Sequence, residues 1–501
     1  MNTLTPAYNG LTSTWTRMHH FGHLQSIAGW DQAANMPPKG NEARAAAMAE
    51  MSALLHRMRT DPPLTTQLQR AEQEDLSPLQ RANLREMRRQ WHGANALPES
   101  LVQRQRLAIA RCEHAWRQQR PANDWQGFVT NFREVLALAR EEAGLLSQQL
   151  GMGKYDAMMD RYEPGMTCAE VDRAFGEVRQ WLPGLIDQVI SRQAQRDALQ
   201  PVIEPVGPFP LAAQRQLCEQ VMRLLEFDFA GGRLDVSTHP FCGGVPEDVR
   251  MTTRFRDEEF LGSLLGTVHE TGHGRYEQNL PRELLGQPVA NARSMGIHES
   301  QSLSFEMQLG SHPGFIDQLA PLVRSALGDQ PAFETQNLRR LITRVKRGLI
   351  RVDADEVTYP AHIILRYEIE RPLIEGEIEA EDVPALWDAK MAELLGVDTR
   401  GNFKDGPMQD VHWPESLFGY FPCYSLGAMY AAQWFAAMRR ATPDLDERID
   451  RGELGPVFDW LRSNIWLQAS RYDTDELTVR ASGEVLNPAH FRAHLESRYL
   501  A

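Results

Sequence analysis

Residues 268–273 read Val-His-Glu-Thr-Gly-His, and this H-E-x-x-H pattern constrains the fold more than any other stretch, because its chemistry exists only on a helix. Two histidines four residues apart on a helix stand one turn above each other, so both imidazoles reach one metal ion. The glutamate between them then lies beside a water on that ion. Around the pattern, Leu261, Leu264, Leu265 and Val268 fall at helical spacing within 260–278, and Pro281 lies beyond the run, where a helix ends. At about 100° per residue, His269 and His273 project to one side of that apolar stripe. The pattern predicts a helix that buries its leucines and holds His269, Glu270 and His273 at the rim of a cavity, an arrangement suited to splitting peptide bonds.

A catalytic zinc takes three protein ligands and keeps one position open. The segment 295–305 supplies the candidate third ligand, Glu299, on a second apolar-periodic run. Other ligand patterns fail. Asn279 occupies the position where a metzincin carries its third histidine, and no N-E-x-x-S-D run follows as in thermolysin-like enzymes.

Most of the remaining chain carries the helical period. Long patterns run over 41–58, 78–92, 100–119, 125–150, 168–195 and 211–225. The first follows the breaker Pro37-Pro38-Lys39-Gly40 and opens at Asn41, read as its cap. The proline-rich stretch 201–210 reads as a loop. Only 232–255 looks like sheet: 234–238 and 249–255 are β-prone runs separated by Gly243-Gly244 and Pro246, which predicts an antiparallel pair just before the metal helix. A strand edge there is able to pair with an extended peptide.

Charge and cysteines exclude several classes. With 67 acidic against 53 basic residues, a net charge of −14 and no long basic run, the chain is not built for nucleic acid or an anionic membrane. Five cysteines, odd in number and without C-x-x-C spacing, fit a reducing compartment. The first residues carry no basic and apolar leader, and no run of about 18 apolar residues occurs, so a cytoplasmic location is expected.

The H-E-x-x-H helix followed by His298-Glu299-Ser300-Gln301-Ser302 closely resembles the thermostable, Taq-type metallocarboxypeptidase family. Four more signatures of that family stand in order: His239-Pro240-Phe241, Asp248-Val249-Arg250-Met251-Thr252, the I-R-x-x-A-D run from Ile350 to Asp355, and the G-x-x-Q-D-x-H-W run from Gly406 to Trp413. The resemblance extends from Trp30-Asp31-Gln32 to Asn487-Pro488. One departure is Pro414-Glu415-Ser416-Leu417, where a small glycine-containing stretch is expected, and Glu415 is expected to bear on substrate preference nearby.

The resemblance implies a mainly α fold: a two-lobed helical zincin of the neurolysin-like kind, with a small antiparallel β-sheet beside the active-site groove. One body spans 1–501, with 1–200 roofing the groove and 201–501 carrying the metal site. It further implies peptide substrates, a homodimer and one divalent metal ion per chain, zinc first, with cobalt or manganese as alternatives. His269, His273 and Glu299 are then the metal ligands, and Glu270 is the general base and later the acid. Arg351 is the first candidate for the substrate's terminal carboxylate, since a guanidinium matches it with two parallel bonds, and Arg250 is the second. Asp353 and Asp355 either orient Arg351 or cap the next helix. His412, Tyr420 and Tyr424 are candidates for the oxyanion or for substrate binding, on a loop expected within 418–430. His239 is placed near the substrate or behind it, and His298 is open between a site role and a structural one. Two other readings compete. Arg351 and the His412 motif argue against an oligoendopeptidase, and the complete ligand set argues against an inactive zincin-fold binding protein.

Overall fold

The computed structural model describes residues 5–501. These fold mainly into helices, with a long irregular stretch over 396–421 and a three-stranded sheet. Local chemistry starts and stops the helices. Before Pro78–Asn95, Ser77 accepts from the Gln80 backbone and the Gln80 side chain returns to the Ser77 amide, and Thr167 and Glu170 do the same before Cys168–Leu199. Trp125–Leu150 ends on Gly151 in the left-handed region. The helix expected over 41–58 is Asn41–Arg59, but Asn41 is its first helical residue and not a cap. The 3-10 turn Pro38–Gly40 runs straight into it, so no side chain is needed to receive its first amides.

The helices bury three cores. The largest draws on residues from Leu101 to Tyr499. A second belongs to Pro6–Ala34, Asn41–Arg59, Pro63–Ala71 and Pro78–Asn95, where Tyr8, Leu11, Trp15 and Met18 interlock with Leu55, Leu64, Leu68 and Met87. These four helices are fastened to the rest by polar contacts. Asn83 bonds the Gln287 side chain and the Val289 amide, and Glu86, 1 % exposed, accepts from Arg293. Ser26 donates to the Gly244 carbonyl at 2.6 Å, while the Trp30 ring packs against the guanidiniums of Arg233 and Arg250.

The sheet differs from the antiparallel pair expected. It has three strands, β1 (Gly232–Val236), β2 (Phe241–Val245) and β3 (Asp248–Thr253), in the order β1-β3-β2. β1 runs parallel to β3, and β2 lies antiparallel to β3 on its other side. The difference arises at Gly243-Gly244, which are not a turn but the middle of β2. A side chain at Gly244 would strike the Asp248 carbonyl and Arg250, so the glycines let β2 press against β3. The third core, Cys218, Met222, Phe227, Leu234, Val249 and Met251, lies behind this sheet.

Two helices bring the motif residues together: Leu261–Gln278 and Met295–Leu303. Their approach is set by Gly272, between the two histidines, where a methyl group would stand 2.5 Å from the Gln301 carbonyl oxygen and 2.6 Å from Ser302 Cα. On the far side, Met295–Leu303 packs along Pro422–Ala441, where Gly427 leaves room for the Glu299 side chain. Ser300 and Gln301 are held in place by the indole N–H groups of Trp434 and Trp466, at 3.0 and 2.8 Å. Alanine at 272 gains about 1 kcal/mol of helix propensity, but the clash is with backbone that cannot rotate away, and overpacking of that kind costs about 1–3 kcal/mol. Gly272→Ala should therefore lower the melting temperature and weaken metal binding, read by thermal melts and by chelator competition; a variant with unchanged metal affinity would show that the helix spacing tolerates the methyl group.

Candidate metal centre and active-site cavity

Among the described residues, His269, His273 and Glu299 form one group of three whose ligand atoms lie within 4.8 Å of one another. His269 Nε2 is 3.8 Å from Glu299 Oε1, and His273 Nε2 is 3.5 Å from Glu299 Oε2. Donors bound at zinc-like distances of 2.0–2.1 Å in a tetrahedron stand about 3.4 Å apart, so the three side chains fit a divalent ion with little movement. The other ring nitrogens are engaged: His269 Nδ1 with Glu306 Oε2 at 2.7 Å, and His273 Nδ1 with His298 Nδ1 at 2.7 Å. Glu306 stands on a π-helical turn, Ser304–Gly310, that directly follows the second ligand helix.

The charges point the same way. Burial and the neighbouring His298 take His273 down to about 4, leaving it neutral, as a metal ligand has to be. Burial also opposes protonation of His269, yet the carboxylates of Glu299, Glu306 and Glu270 outweigh it and raise that ring to about 10. The cluster is oversupplied with negative charge, which a divalent cation balances. Glu270 is 8 % exposed and its Oε2 has no hydrogen-bond partner; burial pushes its carboxyl up to about 7. An orphaned carboxylate oxygen beside a metal-binding group is placed to handle a proton.

These residues line a cavity of about 820 Å³. Its wall includes 240–242 and 244–246 from β2 and its flanks, Tyr420 and Tyr424, and, from the four N-terminal helices, Trp15, His19, His23 and Arg59. Tyr420 is presented by a turn fixed from behind, because the buried Glu370 accepts from Tyr155, Trp413 and the Gly419 amide. The loop expected over 418–430 is a loop only as far as Phe421. Pro422 opens a helix, a position where its missing N–H costs nothing.

The remaining predicted residues are more scattered. His412 is buried and is not part of the cavity wall; its Nε2 meets the Tyr424 hydroxyl at 3.1 Å, and burial, helped by Arg351 and Arg366, takes it down to about 3. Arg351, 6 % exposed, gives Nε and Nη2 to Asp410 and Nη1 to Tyr359. Asp410 also receives Arg366, so two guanidiniums share one carboxylate, which they hold well below the usual range against the effect of burial. Asp355 neither orients Arg351 nor caps the Tyr359–Glu375 helix; it closes the turn just before it, accepting from the Val357 and Thr358 amides, and Asp353 is exposed. Arg250 is paired with Asp248 and stacked on Trp30, and His239 is exposed with Pro240 and Phe241 beyond it on the wall. Glu415 is exposed, faces Glu113 and Arg117, and does not reach the cavity. Sequence reasoning did not single out Asp410, Arg366, Glu370 or Glu306. Asp410 stood in the quoted G-x-x-Q-D-x-H-W run beside His412, a signal that was available.

A family model described as carboxypeptidase Taq (M32) metallopeptidase matches residues 10–499. The chain belongs to that family. It is 38 % identical to thermostable carboxypeptidase 1 of Thermus thermophilus, over 99 % of both chains. Among solved structures, metallocarboxypeptidase 1 of Trypanosoma cruzi superposes with a TM-score of 0.96 at 48 % identity, covering 99 % of this chain and 100 % of that one. A Pyrococcus furiosus carboxypeptidase gives 0.93 at 29 % identity, covering 100 % and 99 %. The M32 chain described here is thus a metal-dependent carboxypeptidase with a helical zincin fold.

Within this M32 protein, Asp410 is the sole carboxylate paired with Arg351 and Arg366 among the described residues. Asp410→Asn leaves both guanidiniums buried and unpaired, which should cost about 3–5 kcal/mol, read as a fall in the urea midpoint; a loss below about 1 kcal/mol would mean that water replaces the carboxylate.

Proposed function

We propose that this carboxypeptidase removes the C-terminal residue of short peptides at a single zinc ion held by His269, His273 and Glu299. What carries the reading is the coincidence of that ligand triangle with the buried, unpartnered Glu270 oxygen on the wall of one cavity. When bound, the ion supplies a more acidic water and a polarised scissile carbonyl. Glu270 takes the proton of the attacking water as the new C–O bond forms, then delivers it to the peptide nitrogen as the C–N bond breaks. Tyr420 donates to the carbonyl oxygen as negative charge develops there. His412, neutral and bonded to Tyr424, sets the direction of that hydroxyl.

Arg351 is assigned the terminal carboxylate. Two guanidiniums around one aspartate leave one positive charge in excess, and Tyr424, on the cavity wall, lies against Arg351 with the guanidinium carbon 4.9 Å from its ring centre. A peptide carboxylate arriving there balances the charge. The N-terminal part, within 1–200, is proposed as the roof, with Arg250 and Trp30 fastening it to the sheet and His239 at the outer lip. Five free cysteines support a reducing, cytoplasmic setting, and a homodimer is carried over from the family resemblance.

Alanine at His269, His273 or Glu299 should abolish turnover and lower metal content, measured by elemental analysis. Glu270→Gln should keep the metal and lose about 10²–10⁴-fold in kcat; full activity with metal bound would sink the proton-transfer role.

Arg351→Ala leaves Asp410 paired with Arg366, so the fold should survive. For peptides with free C-termini it should cost about 2–4 kcal/mol in kcat/KM, while the slow cleavage of peptide amides should hardly change. Arg351→Lys should recover part of the loss, since the charge stays but the two-pronged geometry does not. Equal losses on acids and amides would make Arg351 structural and favour internal cleavage.

A further inference from the structure

One chain of contacts leads away from the ligand triangle, through His298 to Glu277. His298 Nδ1 is 2.7 Å from His273 Nδ1, and His298 Nε2 is 2.9 Å from Glu277 Oε1. The participants come from both ligand helices. His269, His273 and Glu277 stand on consecutive turns of Leu261–Gln278, and His298 is the residue before Glu299 on Met295–Leu303. The His298 ring lies 4.5 Å from the His273 ring, centre to centre, and 5.4 Å from that of the buried Tyr276, so it has little freedom to turn. Among the described residues Glu277 has no arginine or lysine partner; its ion-pair contact is His298.

Hydrogen accounting leaves one arrangement compatible with a metal on His273. If Nε2 gives its lone pair to the ion, Nδ1 carries the proton and must donate it. The atom facing it is His298 Nδ1, which has to accept, so the His298 proton sits on Nε2 and is donated to Glu277. In the reverse arrangement His273 Nε2 would carry the proton and could not bind. The carboxylate at the far end selects the first, because Glu277 has nothing to donate when ionised.

We propose that His298 and Glu277 are positioning residues that set the tautomer and ring angle of His273 and so tighten metal binding. His269 receives the same service directly from Glu306, which makes the two histidine ligands differently supported: one by a carboxylate in contact, the other by a carboxylate acting through a neutral ring. Partners of this kind are worth about 10–100-fold in metal affinity. The inference rests on the assignment of His269, His273 and Glu299 as ligands.

The test is metal affinity by chelator competition on the full-length protein, with cobalt absorption spectra as a second readout and thermal melts of the metal-stripped forms as a check on folding. His298→Phe keeps the ring volume and removes both nitrogens; it should weaken binding about 10–100-fold and shift the cobalt bands, with the metal-stripped melting temperature close to that of the parent. Glu277→Gln keeps an acceptor oxygen without the charge and should lose less. The double variant should bind no more weakly than His298→Phe alone, because Glu277 acts only through that ring, whereas Glu306→Gln combined with His298→Phe should give additive losses. Should His298→Phe fail to fold, Glu277→Gln with its spectrum decides: unchanged affinity and unchanged bands overturn the relay. Unchanged affinity in a folded His298→Phe, or additive losses in the double variant, overturn it as well. His269→Ala run alongside separates the two assignments, since retained metal there would refute the ligand set itself and not the relay.

Discussion

The structure around the site depends on negative charge that has been withdrawn from water. Glu270, Glu299 and Glu306 crowd two imidazoles, and burial, helped by the carboxylates of Glu299 and Glu306, pushes Glu270 up to about 7. Like charges in so small a volume persist only if something of opposite sign belongs among them, and the family's metal ion supplies it. Other parts of the fold follow from keeping those carboxylates where they are. Gly272 and Gly427 allow three helices to close around Glu299, and Trp434 and Trp466 fix the turn that carries it. At both glycines an added Cβ would meet the Glu299-bearing helix closer than 3 Å.

A second centre lies behind the first and has the opposite sign. Arg351 and Arg366 share Asp410, while His362 and His412 next to them stay neutral under burial and the guanidiniums' repulsion. Tyr424 stands between this positive group and the cavity. In the proposed reaction the peptide's carboxylate points toward the cationic group behind Tyr424 and its last bond toward the acidic metal-binding group.

Much of this was legible in the sequence, for definite reasons. The histidines, Glu270 and Glu299 sit on helices whose period a linear reading follows, and the helical zincin fold was apparent from the motifs and their order. The misreadings occur where local signals are ambiguous. Gly243-Gly244 signals a turn as readily as a strand pressed against its neighbour, so the local signal hides β2 and suggests a simple antiparallel pair. Pro422 signals a break as readily as a first helical turn. Glu306 lies on a π-helical turn that an i, i+4 count does not describe, and Asp410 acts on Arg351 across 59 positions. Glu415 looked informative because it broke a pattern, yet its side chain faces another helix. Departures in sequence and departures in chemistry need not coincide.

The seating of Ser26 on the Gly244 carbonyl also bears on the edges of the sheet. In the order β1-β3-β2 both outer strands have unpaired edges, and an unpaired edge is an invitation to another chain. The first helix lies along β2, taking up the Gly244 carbonyl, while Arg215 takes the Leu234 carbonyl of β1. The same helix that supplies Trp15, His19 and His23 to the cavity wall thus covers the β2 edge that another chain could otherwise extend.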